Sequence, residues 1–160
     1  MWKAHYLDAS AAVKLATKEP GSGHLRNYFL KRSGFFMTGL CLAEALGVLK
    51  RKLLKGDISK DQYFPLCYFL LGRVRSGRIT LDDVELTDIN VFNKAEQLGR
   101  IYNLDLSDAL LIVSVKHGKF GRYSGNSKTI LITADRDLQA AAQKEGLKVW
   151  NCEQAPCPPD

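Results

Sequence analysis

The order of elements in the sequence predicts an α/β fold: a central parallel sheet of about four to five strands, flanked by helices in three layers. Three observations carry this expectation. Short runs rich in β-branched and aromatic residues alternate with longer stretches of helical period. Cap and stop residues stand at most of the junctions between them. The 160 residues, 46% hydrophobic and 25% charged, are enough for one core and cramped for two. Strands separated by helices imply right-handed crossovers, and therefore a parallel sheet covered on both faces.

Each element has its own signal. Residues 5–7 read as a strand that turns directly into a helix, and Glu19-Pro20-Gly21 stops that helix. Ser22 is placed to cap a second helix, with Leu25, Tyr28 and Phe29 at i, i+3 and i+4. Ser33-Gly34 breaks it, and residues 35–37 form a second strand. Thr38 caps a third helix with Leu42, Leu46, Leu49 and Leu53 along one stripe and Gly56 as terminator. Ser59 and Gln62 have capping-box spacing and open a fourth helix, in which Pro65 calls for a kink or a later start. Residues 78–81 are a strand. Thr87 caps a helix whose apolar face is Val91, Phe92, Ala95, Leu98, Gly99 and Tyr102. Another helix runs from Ser107, and residues 118–128 are glycine-rich, aperiodic and read as a loop. Residues 129–133, TILIT, are the clearest strand. A helix over 135–145 closes at Gly146, and residues 147–150 are the last strand. One domain therefore spans 1–150, and the proline-rich tail 151–160 is expected to fray.

Charge and cysteine usage bound the function. Lys and Arg number 23 against 17 Asp and Glu, a formal +6 with a pI near 9.2, which leans toward an anionic partner, nucleic acid first. The longest apolar stretch, residues 63–71, contains Pro65 and is too short to span a bilayer. No apolar run precedes Asp8, so the expectation is no signal peptide, no membrane and a cytoplasmic address. The cysteines form no C-x-x-C pair and the histidines are scattered at His5, His24 and His117, which speaks against zinc; Cys41 and Cys67 read as small hydrophobes.

In open parallel sheets ligands bind outside the carboxyl ends of the strands, and acids fall there. Asp8 follows the first strand, Asp135 follows TILIT by one residue, and Asp108 stands in the first turn of its helix. Glu44 is a charge in a helix otherwise apolar from Leu40 to Leu49 apart from Gly47. Singly, each Asp reads equally as a helix cap, Asp105 and Asp108 as a capping pair, and Glu44 as half of a surface ion pair. Together, four converging carboxylates repel one another unless a divalent cation sits among them. All-oxygen ligands suit Mg²⁺ or Mn²⁺, and such sites hydrolyse phosphodiesters.

The segments YLDASAAVKLATKEPGS, LAEAL, LSDALLIVSV and LITADRDLQAAAQKEGLKV, in this order, resemble a PIN domain over residues 4–150. They are similar in style to the ribonuclease toxins of VapBC toxin–antitoxin pairs. The resemblance implies a PIN-like three-layer fold and a metal-dependent endoribonuclease, with Asp8, Glu44, Asp108 and Asp135 as the acidic quartet around Mg²⁺ or Mn²⁺. It implies supporting roles for Ser10 and Thr133, with Asp137 as an additional or alternative acid and Asp105 as a weaker one. It further implies a homodimer and a small antitoxin that covers the pocket. The chain departs from the pattern at KHGKFGRYSGNSK, where such toxins have a short turn. Lys116, Lys119, Arg122 and Tyr123 there are candidates for RNA contact, with Phe120 and Lys128 beside them; the alternative is a solvated loop. Two further basic runs, Lys50-Arg51-Lys52-Lys55 and Arg73, Arg75, Arg78, read more simply as solvated helix faces. Two other functions remain open: a non-catalytic PIN-like module that binds RNA or protein, and an aspartyl phosphotransfer enzyme. The latter would want a second Asp where this sequence has Asp8-Ala9-Ser10.

Overall fold

Five strands form one parallel sheet in the order β3-β2-β1-β4-β5. They are β1 (Ala4–Leu7), β2 (Phe35–Met37), β3 (Ile79–Leu81), β4 (Thr129–Thr133) and β5 (Lys148–Asn151). The structure, a computed structural model, describes residues 3–121 and 128–159. Every residue of β1, β2 and β4 is buried, so both faces of the central sheet are covered, as the apolar runs of these strands require. The cover among the described residues is seven helices: α1 (Ala9–Ala16), α2 (Ser22–Lys31), α3 (Gly39–Lys55), α4 (Lys60–Arg75), α5 (Ile89–Tyr102), α6 (Leu106–His117) and α7 (Arg136–Lys144). The arrangement is α/β with a parallel sheet, consistent with three layers. No helix among the described residues is long and apolar enough to cross a membrane.

The helix α1 is buried nearly all round, through Ala9, Ala11, Ala12, Val13 and Leu15. Its small side chains let α3 pack closely, and the centre of the α3 stripe is accordingly Cys41, Ala45 and Leu49. Of the expected leucine stripe, Leu49 lies on this line, and Leu42, Leu46 and Leu53 are half-buried. Thr38 caps α3 by accepting the Cys41 N–H at 3.1 Å, and Gly56 ends it in the left-handed conformation. The capping box of α4 is closed both ways, Ser59 N–H to Gln62 Oε1 at 2.8 Å and Gln62 N–H to Ser59 Oγ at 3.3 Å. That helix starts where the box predicts and runs through Pro65, which has no N–H to give the Asp61 carbonyl.

Several boundaries differ from the sequence expectation. The first helix ends at Ala16, before the Glu19-Pro20-Gly21 stop, because Thr17 turns its hydroxyl back to the Val13 carbonyl (2.8 Å) and Arg26 takes the Leu15 carbonyl (2.9 Å). Gly21, not Ser22, precedes α2, and Ser22 instead accepts the Glu19 N–H. Asp88, not Thr87, caps α5, accepting the Asn90 N–H at 2.8 Å, while Thr87 bonds Glu85. The last strand runs one residue past the expected boundary. Asn151 completes β5, Cys152 is fully buried, and the Trp150 indole N–H is tied to the Ala155 carbonyl at 2.9 Å. Gly21 faces this segment: a Cβ there would stand 2.4 Å from the Cys152 carbonyl oxygen, and its φ is +83°. Of the stretch read as a loop, residues 118–121 and 128 are described. Phe120 is packed on Phe36, ring centroids 4.4 Å apart, and is partly buried against the core.

Candidate functional site

Asp8 leaves β1 in extended conformation and caps α1, its Oδ1 accepting the Ala11 N–H at 2.7 Å. Aspartate is favoured there because it satisfies an otherwise unpaired first-turn N–H. The Ser10 hydroxyl lies 2.8 Å from both carboxylate oxygens, and the Thr133 hydroxyl donates to Oδ2 at 2.6 Å. Both hydroxyls are themselves held from behind. Ser10 Oγ accepts the Ala134 N–H at 2.8 Å, and Thr133 Oγ1 accepts the Asp135 N–H at 2.9 Å. The β4–α7 junction is thus locked onto the β1–α1 junction through one carboxylate. Three donors meet four lone pairs on Asp8, which leaves one lone pair for a further partner.

Asp135 caps α7 with Oδ1, which accepts the N–H groups of Asp137 (2.7 Å) and Leu138 (3.0 Å); Oδ2 lies outside this cap. Asp105 caps α6, accepting the Asp108 N–H at 2.9 Å, so the capping reading holds for it. Asp108 follows in the first turn, half-buried. Glu44, half-buried on α3, accepts the Ser107 hydroxyl at 2.7 Å, and that hydroxyl also lies 3.1 Å from Asp105. Ser107 therefore joins α3 to the start of α6.

The electrostatics bring the four acids into one neighbourhood. Burial pushes the Asp108 carboxyl up to about 8, and the charges of Asp105, Asp8, Asp135 and Glu44 push the same way. Burial also raises Asp8, to about 6, with Asp135 adding to it, although its hydrogen bonds from Thr133, Ala11 and Ser10 pull downward. The Cys41 thiol beneath them is pushed up to about 12 by burial, with Asp8, Asp108 and Glu44 contributing. None of the quartet forms a salt bridge among the described residues. Like charges without a basic partner, presented by oxygen donors alone, suit a hard divalent cation in chemistry. As placed, no three acidic, histidine or cysteine side chains among the described residues close around a single ion.

Other sequence candidates fall differently. Asp137 contributes its backbone N–H to Asp135, and its carboxylate is not among the charges acting on Asp108. Lys116 is not free for a ligand: its Nζ lies 2.6 Å from Glu145 Oε2, and Tyr102 donates to the other Glu145 oxygen at 2.7 Å. Lys119 is exposed, whereas Arg122 and Tyr123 lie outside the described residues. Basic residues of the two remaining runs are partly spent on structure, Lys52 on Glu19 at 2.6 Å and the Arg78 guanidinium over Phe29 and on its carbonyl.

Sequence reasoning missed Ser107, whose only local signal is its place one residue before Asp108. It also missed Asp82, a buried acid that follows β3 at the same end of the sheet and accepts the Tyr6 hydroxyl. That bond spends Asp82 on the fold. Asp83 beside it accepts the Gly39 N–H at 2.7 Å, a second anchor for the start of α3.

No family model and no curated protein matches this chain. Among solved structures, it is similar to the crystal structure of PAE2754 from Pyrobaculum aerophilum, with a TM-score of 0.60 over 93% of this chain and 92% of that one. The two are 21% identical, a likeness of fold alone.

Proposed function

We propose that this chain is a PIN-domain endoribonuclease that hydrolyses RNA phosphodiester bonds with Mg²⁺ or Mn²⁺, and that it is the toxin of a VapBC-type pair. The reading includes a homodimer, a cytoplasmic setting and a small antitoxin that covers the acidic pocket. The observation that carries it is the gathering of Asp8, Glu44, Asp108 and Asp135, without a basic partner, around the ends of β1 and β4.

Asp8 and Asp108 would hold the cation, with Glu44 and Asp135 completing the shell. When bound, it would supply positive charge that activates water and offsets charge on the leaving oxygen. Ser10 and Thr133 fix the Asp8 carboxylate in one orientation, so it need not reorganise when a phosphodiester arrives. Ser107 does the same for Glu44. Asp135, exposed and with Oδ2 outside its cap, is placed to accept a proton from water. A nucleophilic Asp8, as aspartyl phosphotransfer needs, fits less well because Ser10 stands two positions on, where that chemistry wants a second acid.

The test is cleavage of a defined single-stranded RNA panel with Mg²⁺ or Mn²⁺ and with EDTA. Cleavage is expected only with the metal, and Asp8→Asn and Asp108→Asn should each lower it at least about a hundredfold while remaining folded. Variants that cut as well as the wild type would sink the assignment. Absence of Mg²⁺ or Mn²⁺ binding in calorimetric titration would favour the non-catalytic module.

A further inference from the structure

A second charged concavity lies at the opposite end of the sheet. Lys3, His5, Tyr28, Lys31, Arg32 and Ser33 line an open pocket of about 600 Å³ around the start of β1 and the end of α2. No acid lines it, and Lys3, Lys31 and Arg32 form no salt bridge among the described residues. We propose that this pocket binds a phosphate group.

Its floor is built rather than incidental. His5 is 2% exposed, and its Nδ1 faces the carbonyls of Ser33 (3.1 Å) and Gly34 (3.3 Å). Those acceptors place the ring proton on Nδ1, so Nε2 accepts the Tyr28 hydroxyl at 2.9 Å. The ring is stacked on Phe35 at 4.8 Å, which fixes its plane. Tyr28 in turn carries the Arg32 guanidinium over its own ring, 5.8 Å from the centroid. The pocket thus presents one guanidinium, held over an aromatic face, and two ammonium groups above a neutral polar floor. A guanidinium bonds two phosphate oxygens at once while ammonium groups act as point charges, and three cations match a dianion. The mutual repulsion of the cations is relieved when the anion enters.

The site is separate from the carboxylates. Three residue steps along β1 separate His5 from Asp8, about 10 Å of strand, and the two sites open at opposite ends. The proposal therefore does not rest on the nuclease reading. The phosphate can belong to a free monoester or to an RNA backbone.

Calorimetric titration of the full chain in EDTA, with inorganic phosphate, adenosine 5′-monophosphate and a short RNA lacking a terminal phosphate, tests it. Phosphate should bind the wild type and Asp108→Asn alike, and shift the His5 imidazole ¹⁵N resonances. The Lys31→Gln/Arg32→Gln double variant should bind at least about tenfold more weakly. Both residues are exposed, so this variant should stay folded, which a thermal melt checks. Binding of the RNA in competition with phosphate assigns the backbone as source; binding of phosphate and the nucleotide alone assigns a free monoester. Absence of both heat and a His5 shift, or undiminished affinity in the double variant, overturns the proposal.

Discussion

Asp108 holds its proton to about pH 8 because it is half-buried among other carboxylates, against 3.8 for a free aspartate. The folded chain therefore binds this proton more tightly than the unfolded chain does. The stability linked to it is full below about pH 4 and is lost as pH rises through about 8. In EDTA the Tm should fall across that window, and Asp108→Asn should reduce the slope, leaving the part due to Asp8, whose carboxyl titrates about pH 6. Equal slopes in both proteins would contradict this. At this scale the sequence was legible where chemistry follows from position along the chain. Asp8, Asp108 and Asp135 stand at strand-to-helix junctions, and a junction is a local feature. Ser107 was not legible, because its role depends on α3 arriving beside α6, 63 residues away in sequence. The contacts of Lys116 with Glu145 and of Phe120 with Phe36 were not legible for the same reason: the partners are distant in sequence.

Elements were more legible than their ends. All five strands and all seven described helices have a sequence signal, since period and cap residues are read within a few positions. Ends slipped where two residues could cap, as with Thr87 and Asp88, or where a distant side chain closed the helix, as Arg26 closes α1. The α3 contact line includes Cys41 and Ala45 because α1 is built of alanines, and a close neighbour selects small residues for it. Glycines at element ends separate two costs. Gly56 and Gly21 have nearly the same positive φ, +81° and +83°, but a Cβ at Gly56 meets nothing within 4 Å whereas one at Gly21 meets the Cys152 backbone. Gly56→Ala should cost about 1–2 kcal/mol of conformational strain alone. Gly21→Ala should cost clearly more, about 3 kcal/mol or above, as strain and backbone displacement add. Urea unfolding of the two variants measures the difference; equal losses would mean that the segment after β5 yields freely.

At the scale of the whole molecule, strand order was the least legible property. The elements show what can pair, but β1 lies between β2 and β4 only because the chain returns after α6. The surface carries the other long-range information. Phe64, Tyr68 and Leu71 on α4 are 54%, 64% and 42% exposed and share one helical face. This apolar stripe supports the proposed homodimer, so Tyr68→Glu should convert a dimer to a monomer in sedimentation velocity; a wild type already monomeric would remove the dimer from the reading. The return of the chain also sets a clock during synthesis. Asp8 is made well before its partner Thr133, which lies 125 residues later, and Asp135 follows after that. Until the ribosome has released both, β1 has only one of its neighbours and the carboxylates have not met. If they cut RNA, a nascent chain that still lacks β4 is harmless to the message that encodes it and to the ribosome that makes it. The activity would begin only after β4 and Asp135 have emerged.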